Sequence, residues 1–144
     1  MNILCEGESR FHIHRFTQRT PFWKGIVEFF DDEKIRSTES LYDQVAELYK
    51  GVAALSAKLS GSEPADLALP ESPTDLSFMV GYVLDIEYEE KQKLLEMTST
   101  AERLRMLVAH LTDTLSKLEQ QRIHKETATK VRGNGDLGKP HKGT

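Results

Sequence analysis

The sequence predicts an α+β fold in which three antiparallel strands lead into a bundle of four helices. Two textures carry that reading: an N-terminal stretch rich in β-branched and aromatic residues, and a longer remainder whose apolar residues recur every three or four positions. A third observation bounds it, since 144 residues with 38% apolar and 29% charged side chains make about one globular domain with a single modest core.

The strand signals are NILCEG, SRFHIHRFT and FWKGIVEFF, separated by Glu6-Gly7-Glu8 and by Gln18-Arg19-Thr20-Pro21. Cys5, the one cysteine, cannot form an internal disulfide and reads as a small apolar strand residue. Alternation sends Trp23, Val27 and Phe29 to one side of the last strand and Phe22, Ile26 and Phe30 to the other. Both faces are apolar, so each requires a cover, and the helices that follow can supply only one.

Beyond Asp31-Asp32-Glu33 the period lengthens. Leu41, Val45, Leu48, Val52, Leu55 and Leu59 line one face of a helix from about Thr38 to Leu59, and Gly51 within it costs about 1 kcal/mol relative to alanine. The Pro-, Ser- and Gly-containing stretch 60–72 is a connector. Ser72-Pro73-Thr74-Asp75 then starts a second helix, with Ser72 as cap, and its apolar run Leu76–Leu84 predicts the most buried helix. In the third, Leu94 and Leu95 are anchors among charges, and Glu89 and Lys93 stand in the favourable order four apart. Ser99-Thr100-Ala101-Glu102 matches a capping box, which turns the corner into a fourth helix carrying Leu104, Val108, Leu111, Leu115 and Leu118. That leucine stripe spans barely two heptads, so packing onto the helix at 41–59 is the first expectation and pairing with a helix in trans the second.

Around the corner, EEKQKLLEMTSTAERLRMLVAHL resembles the end of the N-terminal substrate-binding domain of Lon-type ATP-dependent proteases, on Lys91-Gln92, Leu95-Glu96-Met97 and Glu102-Arg103-Leu104. Upstream, EGESRFHIHRF and PFWKGIVEF resemble the paired strands of that family through Gly7, Arg10, Pro21, Phe22, Val27 and Glu28, and the resemblance runs from about residue 1 to 121. It implies a partial PUA-like β-barrel over residues 1–33, the helical bundle of the domain over 34–122, and a disordered basic tail over 123–144. The family's opening strands, with their Leu-Pro-Leu-Phe-Pro-like segment, have no counterpart here, which makes a truncated or start-misassigned copy the expectation.

Function is bounded by what the residues do and do not supply. No apolar run approaches the roughly 20 residues that cross a bilayer, and the N-terminus lacks a signal-like pattern, so the cytoplasm is the expected compartment. The net charge of −4 divides into +3 on residues 123–144 and −7 on the rest, so only the tail is expected to attract polyanions, and no aromatic-rich basic stripe is read in the body. In the tail, GNGDLGKP (133–140) imitates a phosphate loop but places Pro140 where Ser or Thr must bind magnesium, with no strand before it. His12 and His14 share a strand face but are too few for a closed metal site, and His110 reads as a structural histidine among apolar neighbours. The Glu/Lys run 87–96 reads as solvated helix surface.

No catalytic residue, cofactor or metal is assigned, and the ATPase and Ser-Lys peptidase chemistry of Lon proteases belongs to other domains. The resemblance implies a non-catalytic protein that recognises unfolded or partner polypeptides, with a protease and protein quality control as its setting. Trp23, Phe29 and Phe30 are the contact candidates, because large aromatics supply much of the area in such binding, and core of the barrel is the competing role for them. An RNA-binding PUA-like module and a helical scaffold or oligomerisation protein are the alternatives.

Overall fold

The computed structural model describes residues 3, 5, 7–34, 37–64 and 66–134, with side chains as far as Lys130. The two alternating aromatic segments pair as an antiparallel hairpin, β1 (Arg10–Gln18) and β2 (Lys24–Phe30), joined by residues 19–23. Phe11 lies opposite Phe29, Ile13 opposite Val27 and Phe16 opposite Gly25. Directly opposed residues share a face, so these six form one side of the ribbon, while Arg10, His12, Glu28 and Phe30 form the other. Register shifts between Ile13 and Arg15 and between Phe16 and Gln18 absorb the extra residues of β1.

Two expectations are corrected at this end. Among the described residues the sheet has two strands where three are expected, and no barrel forms. Of the segment NILCEG, residues Ile3, Cys5 and Gly7 are described and lie outside any strand. Ile3 is 72% exposed and Cys5 is exposed, so Cys5 is not a buried strand residue. The rest of NILCEG, Asn2, Leu4 and Glu6, lies outside the described residues.

The four helices follow the predicted order. α1 (Glu39–Ser60) buries Val45, Ala46 and Leu55, and it ends where Gly61 adopts φ +72°. In that left-handed position the Gly61 and Ser62 amides return to the Lys58 and Ala57 carbonyls, at 3.4 and 2.9 Å. α2 (Pro73–Val83) starts as read, with the Ser72 hydroxyl accepting from the Asp75 amide at 3.3 Å. It buries Leu76, Ser77, Val80 and Gly81, yet Tyr82 and Val83 are exposed, so its apolar circumference is buried on one side only. A Cβ on Gly81 would stand 3.2 Å from the Leu94 side chain, which explains a glycine where α2 meets α3 (Tyr88–Glu96).

At the corner the Ser99 hydroxyl accepts from the Glu102 amide at 3.3 Å, one half of the capping box. α4 (Thr100–Asn134) then packs Leu104, Leu107 and Leu111 into a core shared with Val45, Ala46, Leu76, Val80, Leu84 and Leu94. Its leucine stripe is therefore satisfied within the chain, and Leu115 lies over Gly51 of α1. The helix also extends through residues 123–134, the first part of the segment expected to be a disordered tail. Arg122 bridges Glu119 and Glu126, each at 2.8 Å, and the Lys125 amine donates to the Leu59 carbonyl at 2.9 Å, which ties this extension to the end of α1. The remainder of the tail, and with it most of GNGDLGKP, lies outside the described residues.

Leu107→Ala, in the fully buried centre of the core, should destabilise the protein by about 3 kcal/mol in urea unfolding. Leu95→Ala, at a half-exposed neighbour of the same bundle, should cost less than about 1 kcal/mol. Equal losses would contradict the core described above.

Candidate functional site

The hairpin meets the bundle at one charged junction. Asp32, just past β2, receives Arg10 from β1 and Arg103 from α4 on its carboxylate, and the Thr100 hydroxyl donates to its Oδ2 at 2.5 Å. Arg103 is fully buried and all five of its N–H groups find acceptors. Nε donates to Ser77 Oγ at 2.7 Å, Nη1 to the Met97 carbonyl at 2.8 Å and to Asp32 at 3.2 Å, and Nη2 to Asp32 and, at 3.3 Å, to Thr100.

Arg10 donates to the carbonyls of Leu95 and Met97 at 2.9 and 2.7 Å, groups that the end of α3 leaves without helical partners. Phe78 lies under both guanidinium groups, 5.0 Å from Arg10 and 4.0 Å from Arg103, and Arg10 also stacks over Phe30. One residue further, the Glu33 amide donates to the Thr98 carbonyl at 2.8 Å. Burial opposes ionisation of Asp32, but hydrogen bonds from Arg103 and Thr100, the charge of Arg103 and the bond from Arg10 outweigh it and hold the carboxyl below its ordinary value.

The opposite side of the ribbon is open. Phe11, Ile13, Phe16, Trp23, Val27 and Phe29 are all exposed there, Trp23 and Phe29 at 61% and 68%. Edge-to-face pairs tie this row together across the strands, Phe11 with Phe29 at 6.0 Å and Phe16 with Trp23 at 4.7 Å between ring centres. The three contact candidates thus separate. Trp23 and Phe29 belong to the open row, whereas Phe30 faces the junction, stacked on His12 at 4.2 Å and lying under Arg10. Phe11 and Phe16 were not singled out from sequence, although their position across from β2 follows once the pairing is known.

The remaining candidates have structural surroundings. His14 Nε2 lies 3.0 Å from Glu28, on the face opposite the open row. His110 is 3.6 Å from Glu90, so it has a carboxylate neighbour besides its apolar ones. Lys93 pairs with Glu90 at 2.5 Å rather than with Glu89, and this bond, against burial and with help from His110, holds the Glu90 carboxyl below its ordinary value. Among the described residues no three His, Cys, Asp or Glu side chains cluster as metal ligands, and no helix is long and apolar enough to cross a membrane. The basic residues also redistribute. Arg19 and Lys24 lie at the hairpin tip, the Arg19 guanidinium 5.3 Å from Trp23 and Lys24 Nζ 5.0 Å from the Phe22 ring, and the exposed Arg15 pairs with Ile26 further along the ribbon. A basic patch with aromatics therefore does exist outside the tail.

Hairpin and bundle together define an α+β domain built around one exposed aromatic face and one ionic junction. Residues 1–113 match the family model of the ATP-dependent protease La (LON) substrate-binding domain, and the chain belongs to that family. It is 27% identical over 124 residues to the Lon protease of Rhizobium meliloti (strain 1021), and equally so to that of Syntrophomonas wolfei, with 85% of this chain aligned to 15% of each relative. The Lon protease of Chloroherpeton thalassium is 25% identical over 140 residues, covering 94% of this chain and 16% of its own length. The chain thus spans about 15% of the length of the curated relatives it matches.

Because the folded carboxyl of Asp32 titrates below its unfolded value of about 3.9, its contribution is complete above that pH and is lost as pH falls through the lower folded value. Asp32→Asn should therefore destabilise the protein near pH 7, and its deficit relative to the parent should shrink on acidification below about pH 4 in urea unfolding. Asp32→Ala, which strands the buried Arg103, should cost about 3 kcal/mol or more at neutral pH. A deficit of Asp32→Asn that is independent of pH would remove the ionic account of the junction.

Proposed function

We propose that this chain is a non-catalytic, cytoplasmic module that holds polypeptide segments on the open face of its β1–β2 hairpin, in the service of protein degradation or quality control. The observation that carries this reading is the row Phe11, Ile13, Phe16, Trp23, Val27 and Phe29, exposed on one face of a domain of the substrate-binding family. Apolar adhesion is non-directional and tolerates sequence variation, which suits the recognition of segments that folded proteins normally bury. A setting beside a protease is supported by the relatives, whose printed name is Lon protease.

Trp23 is the only tryptophan, which makes its emission a direct report on the proposed face. A tryptophan-free, reduced and carboxymethylated polypeptide should bind saturably without ATP and shift that emission to the blue. Replacing Phe11 and Phe29 together by serine should weaken binding by about tenfold or more and leave the melting temperature nearly unchanged, since both side chains are exposed. Absence of saturable binding, or full binding by the double variant, would overturn the assignment to this face.

A further inference from the structure

The charge of the hairpin is as uneven as its apolarity. From Phe11 to Val27 the sequence contains no Asp or Glu, while Arg15, Arg19 and Lys24 are all exposed in a chain whose net charge is −4. Among the described residues none of the three has a carboxylate within ion-pair distance. The open row runs from Phe11 and Phe29 at the base, through Ile13 and Val27, to Phe16 and Trp23, and Arg19 lies over Trp23 at its far end. A guanidinium stacked on an indole keeps its N–H edge available for a carboxylate.

At the base, the exposed Asp31 and Glu8 flank the strands with the opposite sign. From Trp23 to Phe29 the row spans six residue steps, or about 20 Å, room for roughly six residues of an extended ligand. By the strand pairing, Arg15 (opposite Ile26) and Lys24 (opposite Gln18) stand on the side of the ribbon away from the open row, so Arg19 over Trp23 is the cation on the row itself and the other two add positive charge across the thin ribbon from it.

We infer that the hairpin selects among polypeptides by charge: it prefers apolar segments flanked by acidic residues over otherwise identical segments flanked by basic ones. This rests on the polypeptide-binding reading above and adds the class of segment taken. A basic patch with aromatics also suits single-stranded RNA, which stacks bases on open ring faces. Here Phe11 meets Phe29 edge to face, as does Phe16 with Trp23, Arg19 lies over Trp23, and aliphatic Ile13 and Val27 separate the two aromatic pairs. That arrangement offers a surface for burying aliphatic and aromatic side chains more than a ladder of platforms.

Three tryptophan-free peptides test it, each with the same six-residue apolar core and a flank of three aspartates, three serines or three lysines, titrated against the full chain at low salt. The aspartate peptide should bind about fivefold or more tighter than the serine peptide, and the lysine peptide more weakly still. The difference should collapse in about 0.5 M salt, and also in the triple variant Arg15→Gln, Arg19→Gln, Lys24→Gln, while the serine peptide keeps its affinity. Equal affinities for the three, or a preference retained in the triple variant, would overturn the charge selection and leave the polypeptide reading standing. Failure of all three to bind would instead sink the polypeptide reading itself. A six-nucleotide RNA that binds more tightly than the aspartate peptide, and loses that affinity in the triple variant, would assign the patch to nucleic acid and overturn the inference.

Discussion

The carboxylate of Asp32 is the point on which the arrangement of the two halves depends. Around it converge β1 through Arg10, α4 through Arg103 and Thr100, and, through Ser77 and Phe78, α2. A two-stranded hairpin is marginal by itself in water, and this one leaves one apolar face open, so the strands need an external hold. The junction supplies that hold with geometry rather than area. Five donors on a buried guanidinium and the freed carbonyls at the end of α3 admit one docking angle, where apolar contact alone would admit several. Such a pair is weak evidence for stability as such, because desolvation consumes much of its attraction. Its effect is to fix where the hairpin stands.

That placement explains how a short ribbon can serve two purposes. At the base of the ribbon Arg10 and Phe30 turn toward the junction while Phe11 and Phe29 turn away, so alternation there separates attachment from exposure. A slip of one residue in register would exchange the faces, presenting arginine outward and burying Phe29 against Met97 and Asp32. The cross-strand pair Arg10–Phe30, held from the far side by Asp32, opposes such a slip at the base.

Much of this was legible in the sequence, for identifiable reasons. The leucine spacing gave α1 and the first half of α4, and the signals at Ser72-Pro73 and Ser99 gave the starts of α2 and α4, because caps and periodicity are local. The hairpin also followed from local alternation. Asp32 did not, although Arg10, Met97 and Arg103 had been noted. An acidic residue at a strand-to-helix boundary looks like a turn residue until the fold brings two arginines to it across 22 and 71 positions. Phe11 and Phe16 were missed for a related reason, since the identity of the open face depends on which side the junction occupies. The expected third strand has no counterpart among the described residues, because apolar, β-branched composition reports fitness for a pleated surface, not the presence of a partner. The continuation of α4 past residue 122 is not legible in a segment of low hydrophobicity, because its ties, Arg122 bridging two glutamates and Lys125 reaching α1, depend on the helix already being formed.

The two electrostatic regions of the fold are physically separate. At the junction, charges are desolvated, fully paired and directional, and the cation–π contacts on Phe78 hold both arginines in place. Toward the tip, Arg15, Arg19 and Lys24 are exposed and remain available to whatever approaches. Between them stands a run of apolar side chains without a carboxylate on its face. Under the proposed polypeptide-binding reading, paired charge at one end fixes the ribbon and unpaired charge at the other biases what it meets, because the intervening surface is apolar enough to hold a segment without specifying its sequence. On the same reading, a hairpin with its cations neutralised by neighbouring acids would keep the proposed adhesion and lose the proposed discrimination. One with its junction neutralised would keep its tip chemistry and lose the fixed stance from which that chemistry operates.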